Sequence, residues 1–154
     1  WPYNFCIGEA QCALASKLLD RIDAINQEKA ERYKQFTNSL ADHNELKFQK
    51  IPVNQGHSYH LMPALYDSTV TNKHRDELIK LLFDEYNIKC VVQYYPLNRY
   101  PLFNDRGFGN ADCPNTDYFF DNMISFPFHH SLSDGQFNYL IDSVINACSK
   151  LRES

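Results

Sequence analysis

Residues 7–40, IGEAQCALASKLLDRIDAINQEKAERYKQFTNSL, decide the architecture. Apolar side chains fall at Ile7, Ala10, Leu14, Leu18, Ile22, Ile25, Tyr33, Phe36 and Leu40, in gaps of three, four and their multiples. Asp20, Arg21, Asp23, Glu28, Lys29, Glu31, Arg32 and Lys34 fill much of the rest, and no glycine or proline interrupts after Gly8. This spacing predicts an amphipathic helix, because residues three and four apart share one helical face. A helix of ~30 residues would be ~45 Å long at ~1.5 Å per residue. That exceeds the width of a lone domain of this size, so part of the helix is expected to pack on something the chain does not contain.

Beyond the helix, a polar turn at Asp42-His43-Asn44-Glu45 leads into Leu46–Val53, a short edge strand ended by Pro52. Gly56 opens a second strand, Ser58–Tyr66, and Thr71-Asn72 is expected to cap a helix over Lys73–Tyr86 whose buried side is Leu78, Ile79, Leu81, Leu82 and Phe83. Cys90–Tyr95, β-branched and aromatic, reads as a third strand stopped by Pro96. Arg99 to Cys113 mixes Gly, Asn, Asp and aromatics in the manner of a functional loop. Pro114–Met123 reads as a short helix and Ile124–Phe128 as a short strand; Ser131-Leu132-Ser133-Asp134 then caps a final helix, Gly135 to about Leu151. With no repeat, low-complexity tract or domain boundary, the expectation is a single α+β domain over residues 1–154.

Composition narrows the function. Lys+Arg 15 against Asp+Glu 19 gives a net charge of −4 over 154 residues, which argues against nucleic-acid binding. Hydrophobic residues at 44% and aromatics at 14% suffice for one ordered core and exclude general disorder. No stretch approaches the ~18 apolar residues of a membrane span, and no secretory signal opens the chain. A soluble chain in the cytoplasm, without a membrane partner, is expected. Its first residue is Trp1, not Met, which suggests a processed chain or the back half of something longer. Cys6, Cys12, Cys90, Cys113 and Cys148 are odd in number, scattered and without zinc spacing, and read as small buried hydrophobes in a reducing compartment. His129-His130 is no metal motif either, since neighbouring side chains point different ways, and no metal is expected.

Catalytic motifs are missing: no Gly-x-Ser-x-Gly, no His-Glu-x-x-His, no Walker loop, and only 5 glycines. No lysine stands in a context suited to a Schiff base; Lys89, the nearest case, marks a strand start. Three polar-aromatic clusters remain. Tyr3-Asn4-Phe5 places Asn4 at a helix N-terminus, either as a cap or as part of an anion site. Gln93-Tyr94-Tyr95-Pro96-Leu97-Asn98-Arg99-Tyr100-Pro101 is dense in amides, hydroxyls and rings, which suits sugar or nucleotide contacts as well as a packed turn. Phe126-Pro127-Phe128-His129-His130 presents imidazoles at a strand end, in a structural or a site role.

The order of these clusters is similar to that of the DegT/StrS family of pyridoxal-phosphate-dependent sugar aminotransferases. Tyr3-Asn4-Phe5-x-Ile7-x-Glu9-x-Gln11-x-Ala13-Leu14 resembles the family's Tyr-Asn-(aromatic)-Arg-(aliphatic)-(small)-Glu-(aliphatic)-Gln-Ala-Ala segment. His57-Ser58-Tyr59-His60-Leu61 resembles its (aromatic)-His-Leu-(aromatic) strand, and Gln93-Tyr94-Tyr95-Pro96-Leu97-Asn98 its His-Tyr-x-Pro-Leu-His loop. Phe126 to Asp134 resembles its Leu-Pro-(aliphatic)-His-Pro-x-Leu-(Ser/Thr)-(acidic) lead-in to the last helix.

The resemblance implies the C-terminal small domain of a fold-type I aminotransferase, with a small, mainly antiparallel sheet packed with helices. The large domain that carries the Schiff-base lysine and the aspartate facing the pyridine nitrogen would be absent from this chain. It implies pyridoxal 5'-phosphate as cofactor, with Asn4 reaching the cofactor phosphate of the neighbouring subunit of a homodimer. It further implies a nucleotide-sugar substrate touched by Gln93, Tyr94, His60 and Asn98, an amino donor such as glutamate, and no catalytic residue within this chain. By itself the chain is then inactive. Cys6 stands where the family usually has Arg, and Gln93 and Asn98 where it often has His, which implies altered substrate recognition or a divergent subgroup. The alternative is a non-catalytic module that dimerises through the long helix and holds a sugar nucleotide. An upstream lysine in the parent reading frame separates the two.

Overall fold

The amphipathic stretch folds as two helices. The computed structural model describes residues 6–53, 55–109 and 111–154, and in it α1 (Glu9–Leu19) gives way to α2 (Ile22–Ser39) across Asp20-Arg21. There the Asp20 N–H reaches Ser16 O over a stretched 3.4 Å, and the Arg21 N–H tightens onto Leu18 O at 3.1 Å. No residue of α1 is buried. Periodicity therefore dictates helix on both sides, but no packing spans the joint to keep it straight.

Downstream come β1 (Leu46–Phe48), β2 (Met62–Tyr66), α3 (Ser68–Thr71), α4 (Arg75–Tyr86), a 3-10 turn (Leu97–Arg99), α5 (Pro101–Asn104), α6 (Pro114–Asn122), β3 (Met123–Phe126) and α7 (Asp134–Glu153). The strands form one antiparallel sheet in the order β1-β2-β3, with Leu46 opposite Tyr66 and Met62 opposite Phe126. Helices on a small antiparallel sheet are the α+β arrangement expected from the sequence.

One face of that sheet carries the core. Met62, Ala64 and Tyr66 alternate inward from β2 and meet Phe36 and Leu40 from α2 and its end, Leu78 and Leu82 of α4, and Phe137, Leu140 and Val144 of α7. Phe36 is fully buried, with its ring centroid 5.2 Å from Phe126, 5.7 Å from Phe48 and 6.3 Å from Phe137. It joins α2, β1, β3 and α7 in one aromatic cluster.

Several local expectations differ from the structure. Of the cysteines expected to be buried, only Cys90 and Cys148 are, with Cys6 and Cys12 exposed. Phe83 of α4 is exposed rather than on its buried side, and β1 and β2 are shorter than the expected Leu46–Val53 and Ser58–Tyr66. The helix expected from Lys73 starts at Arg75, because Asn72 sits in the left-handed region (φ 56) and His74 is the cap. The His74 ring accepts from the Asp76 N–H and the Glu77 carboxylate accepts from the His74 N–H, a capping box with histidine in the serine place. Thr71 is instead engaged with the Tyr66 hydroxyl at 2.6 Å. The strand expected over Cys90–Tyr95 contributes only one bridge, Val91 to Ser125 on the outer edge of β3. Beyond it the Gln93 N–H turns to Met123 Sδ (3.1 Å), Pro96 has no N–H to give, and Tyr95 packs its ring on Tyr100 and Phe120.

Candidate functional site

Where Val91 leaves the sheet, residues 93–122 build a lobe over the Met123 end of β3, and two arginines fix its position. Arg75, buried at the start of α4, donates through Nη1 to Phe120 O (2.7 Å) and Met123 O (2.9 Å), satisfying carbonyls at the C-terminal end of α6. Arg99, at the end of the 3-10 turn, meets two carboxylates one turn apart on α6, Asp117 at 2.7 Å and Asp121 at 3.0 Å. Its guanidinium also lies 5.5 Å from the Phe120 ring centroid. The Arg99 hydrogen bond holds the Asp121 carboxyl below its ordinary pKa, and the same contacts raise that of Arg99. The Arg99 charge is thus already neutralised, and its part is to hold the loop on α6.

The groups so held are neutral. Gln93 Nε2 donates to the Tyr94 hydroxyl at 3.2 Å, while Gln93 Oε1 is buried without a hydrogen-bond partner among the described residues. The Tyr94 ring is 68% exposed. Asn98 Nδ2 donates to Ala111 O at 3.3 Å and lines a cavity of about 480 Å³ with Leu97, Phe103, Phe108, Ala111 and Cys113. The turn between Phe103 and Phe108, two of its lining residues, passes through Gly107 at φ 86, a conformation open to glycine at no steric cost. A buried acceptor lacking a donor, an exposed phenol and an apolar recess suit a hydroxyl-rich or amide ligand. Amides do not titrate near neutrality, so the lobe can orient a ligand but supplies no general acid or base from Gln93 or Asn98.

Gln93 and Tyr94 are thus hydrogen-bonded neighbours, while Asn98 lines the recess with other residues of the lobe. His60 is not among them: it is exposed just before β2, at the Met62 end, whereas Gln93 lies beside Met123, opposite the Leu65 end of the same strand. His129 and His130 are exposed in the turn before α7. Asn4 lies outside the described residues. Sequence reasoning missed the anchors Arg75, Asp117 and Asp121; the available signal was the four-residue spacing of the two aspartates on one helix face opposite a lone arginine.

Comparisons with known proteins bear on the family and the fold. The profile of the DegT/DnrJ/EryC1/StrS aminotransferase family matches residues 2–145. The chain is 27% identical to the spore coat polysaccharide biosynthesis protein SpsC of Bacillus subtilis, over 92% of this chain and 37% of that protein. It is 25% identical to the dTDP-3-amino-3,4,6-trideoxy-alpha-D-glucose transaminase of Micromonospora megalomicea, again over 92% of this chain and 37% of the other. Among solved structures, Helicobacter pylori PseC, an aminotransferase involved in the biosynthesis of pseudoaminic acid, superposes with a TM-score of 0.81 at 22% identity, covering 96% of this chain and 39% of that one. The likeness in that case is one of fold. The chain spans a little over a third of the length of the curated relatives it matches.

Proposed function

Because the chain belongs to the DegT/DnrJ/EryC1/StrS aminotransferase family, we propose that it is the C-terminal part of a pyridoxal-phosphate-dependent enzyme that moves an amino group from a donor such as glutamate onto a keto-sugar nucleotide. The observation that carries the reading is the match itself, which runs from residue 2 to residue 145 and so takes in every element from α1 into α7. In this proposal the cofactor-bearing lysine belongs to a preceding large domain, and the working unit is a cytoplasmic homodimer. Leu14, Leu18 and Leu19, exposed on α1 at 63%, 45% and 66%, support a contact with chain beyond these residues. No helix among the described residues is long and apolar enough to cross a membrane.

Within the site, Gln93, Tyr94 and Asn98 orient the sugar nucleotide. The unsatisfied Gln93 Oε1 accepts from a sugar hydroxyl or a base N–H, and the exposed Tyr94 ring offers a stacking face. Neutral amides and a phenol fit the hydroxyl-rich substrate; the contact to the cofactor phosphate falls to Asn4. The pyridoxal group, when bound, serves as the electron sink that amino-group transfer needs. His60, at the far end of β2, contributes only where the whole protein brings other chain beside it.

The test is the full-length protein supplied with pyridoxal phosphate, glutamate and a panel of keto-sugar nucleotides, with 2-oxoglutarate as the readout. Production of 2-oxoglutarate dependent on one sugar nucleotide is expected, and Gln93→Ala raises KM for that nucleotide about tenfold, near 1.4 kcal/mol, with kcat little changed. Tight sugar-nucleotide binding with no 2-oxoglutarate from any substrate overturns the enzyme reading and supports the non-catalytic module.

A further inference from the structure

Away from that lobe, at the opposite side of the sheet, the fold buries three side chains of metal-ligating type in one place. His43 and Glu45 stand in the turn between α2 and β1, and Cys148 comes from α7. His43 is 8% exposed, Glu45 and Cys148 not at all, and one donor atom from each lies within 4.8 Å of the others. Rigid backbone holds the set: the His43 N–H bonds Leu40 O at 3.0 Å, the Leu46 N–H bonds His43 O at 2.9 Å, and Glu45 O accepts from the Asp67 N–H at 2.7 Å. The three groups hydrogen-bond one another through Glu45, and imidazole, carboxylate and thiolate are all ligands that a borderline cation such as Zn2+ accepts.

We propose that His43 Nδ1, Glu45 Oε1 and Cys148 Sγ form a binding site for a thiophilic divalent cation of the zinc class. With Zn–N and Zn–O near 2.0 Å and Zn–S near 2.3 Å, tetrahedral donors of this set stand roughly 3.3–3.5 Å apart, so the cluster needs to close by about 1.3 Å at most. Glu45 Oε1 is already 3.4 Å from His43 Nδ1. Its other oxygen, Oε2, is held by Arg152 Nη2, so the carboxylate can serve guanidinium and cation with separate atoms. As the sulfur–metal bond forms, the Cys148 thiol releases its proton to solvent, and the thiolate and carboxylate together balance the dication. Burial keeps that thiol protonated until the cation arrives. Arg152, whose side chain is 34% exposed and also bonds Asp42 O at 3.1 Å, has room to turn outward as the charge changes. A water completes the coordination. This proposal is independent of the aminotransferase reading.

Titration of the purified, metal-free protein with Co2+ alone tests it. Saturation at one equivalent, with a thiolate-to-cobalt charge-transfer band in the near ultraviolet that Zn2+ abolishes and Cys148→Ser lacks, is the expected result. Absence of the band, or its persistence in Cys148→Ser through one of the other cysteines, overturns it. Should Cys148→Ser fail to fold, His43→Gln at the rim of the cluster decides: the proposal requires loss of Co2+ affinity by at least tenfold, and an unchanged titration overturns it.

Discussion

Glu45 shows how much one residue depends on partners remote in sequence. In the chain it belongs to a polar turn, where a solvated carboxylate is the default, yet it is fully buried. Burial opposes its charge, but Arg152, its own backbone N–H and His43 outweigh that cost and hold the carboxyl below its ordinary pKa. A folded pKa below the unfolded value of about 4.3 adds stability that is fully present above that pH and fades as the pH falls through the folded value. Glu45→Gln is therefore expected to lose about 2 kcal/mol at neutral pH, since it leaves Arg152 without its counter-charge, and to show a flatter decline on acidification. Urea unfolding of both forms between pH 3 and pH 7 checks this; parallel pH profiles would refute the assignment. Gln93 is the converse case. The sequence offers its amide as a candidate contact group, and the structure adds that its oxygen is buried without a hydrogen-bond partner among the described residues.

At the level of elements, α7 and α1 are both amphipathic by sequence, but only α7 is packed. Phe137, Leu140, Ile141, Val144, Ala147, Cys148 and Leu151 of α7 are buried, and the Ser133/Gln136 capping box fixes its start. α1 buries nothing and has no side-chain cap. An unpacked helix of 11 residues is marginal in water. Hydrogen–deuterium exchange on the chain alone is expected to show α1 amides exchanging at least about 100-fold faster than the central amides of α7. Equal protection would mean that α1 is held by contacts absent from the structure. The same distinction explains Cys90–Tyr95: β propensity was legible, but the choice between ladder and loop fell to Met123 Sδ, Pro96 and the Tyr95 ring packing. His74 as a cap was equally hard to read, because the ring's role depends on the left-handed Asn72 just before it.

For the whole molecule, Phe36 sets cooperativity. It touches aromatic rings from β1, β3 and the start of α7, so its loss opens a cavity common to both ends of the chain. Phe36→Ala is expected to cost about 3–5 kcal/mol and to lower one single unfolding transition followed by both far-UV and near-UV circular dichroism. Two separated transitions would show that α2 and the sheet do not fold as a unit. By itself the amino-acid sequence determined most of the helical and strand segments, the α+β class and the family resemblance. Those properties reside in spacing and residue type along the chain. Tertiary structure alone decided that the first helix breaks at Asp20-Arg21, that Arg99 is spent on Asp117 and Asp121, that His60 stands apart from Gln93, and that His43, Glu45 and Cys148 meet. The reason is physical: each depends on burial and on partners brought close only when the sheet forms, and local spacing carries no record of them.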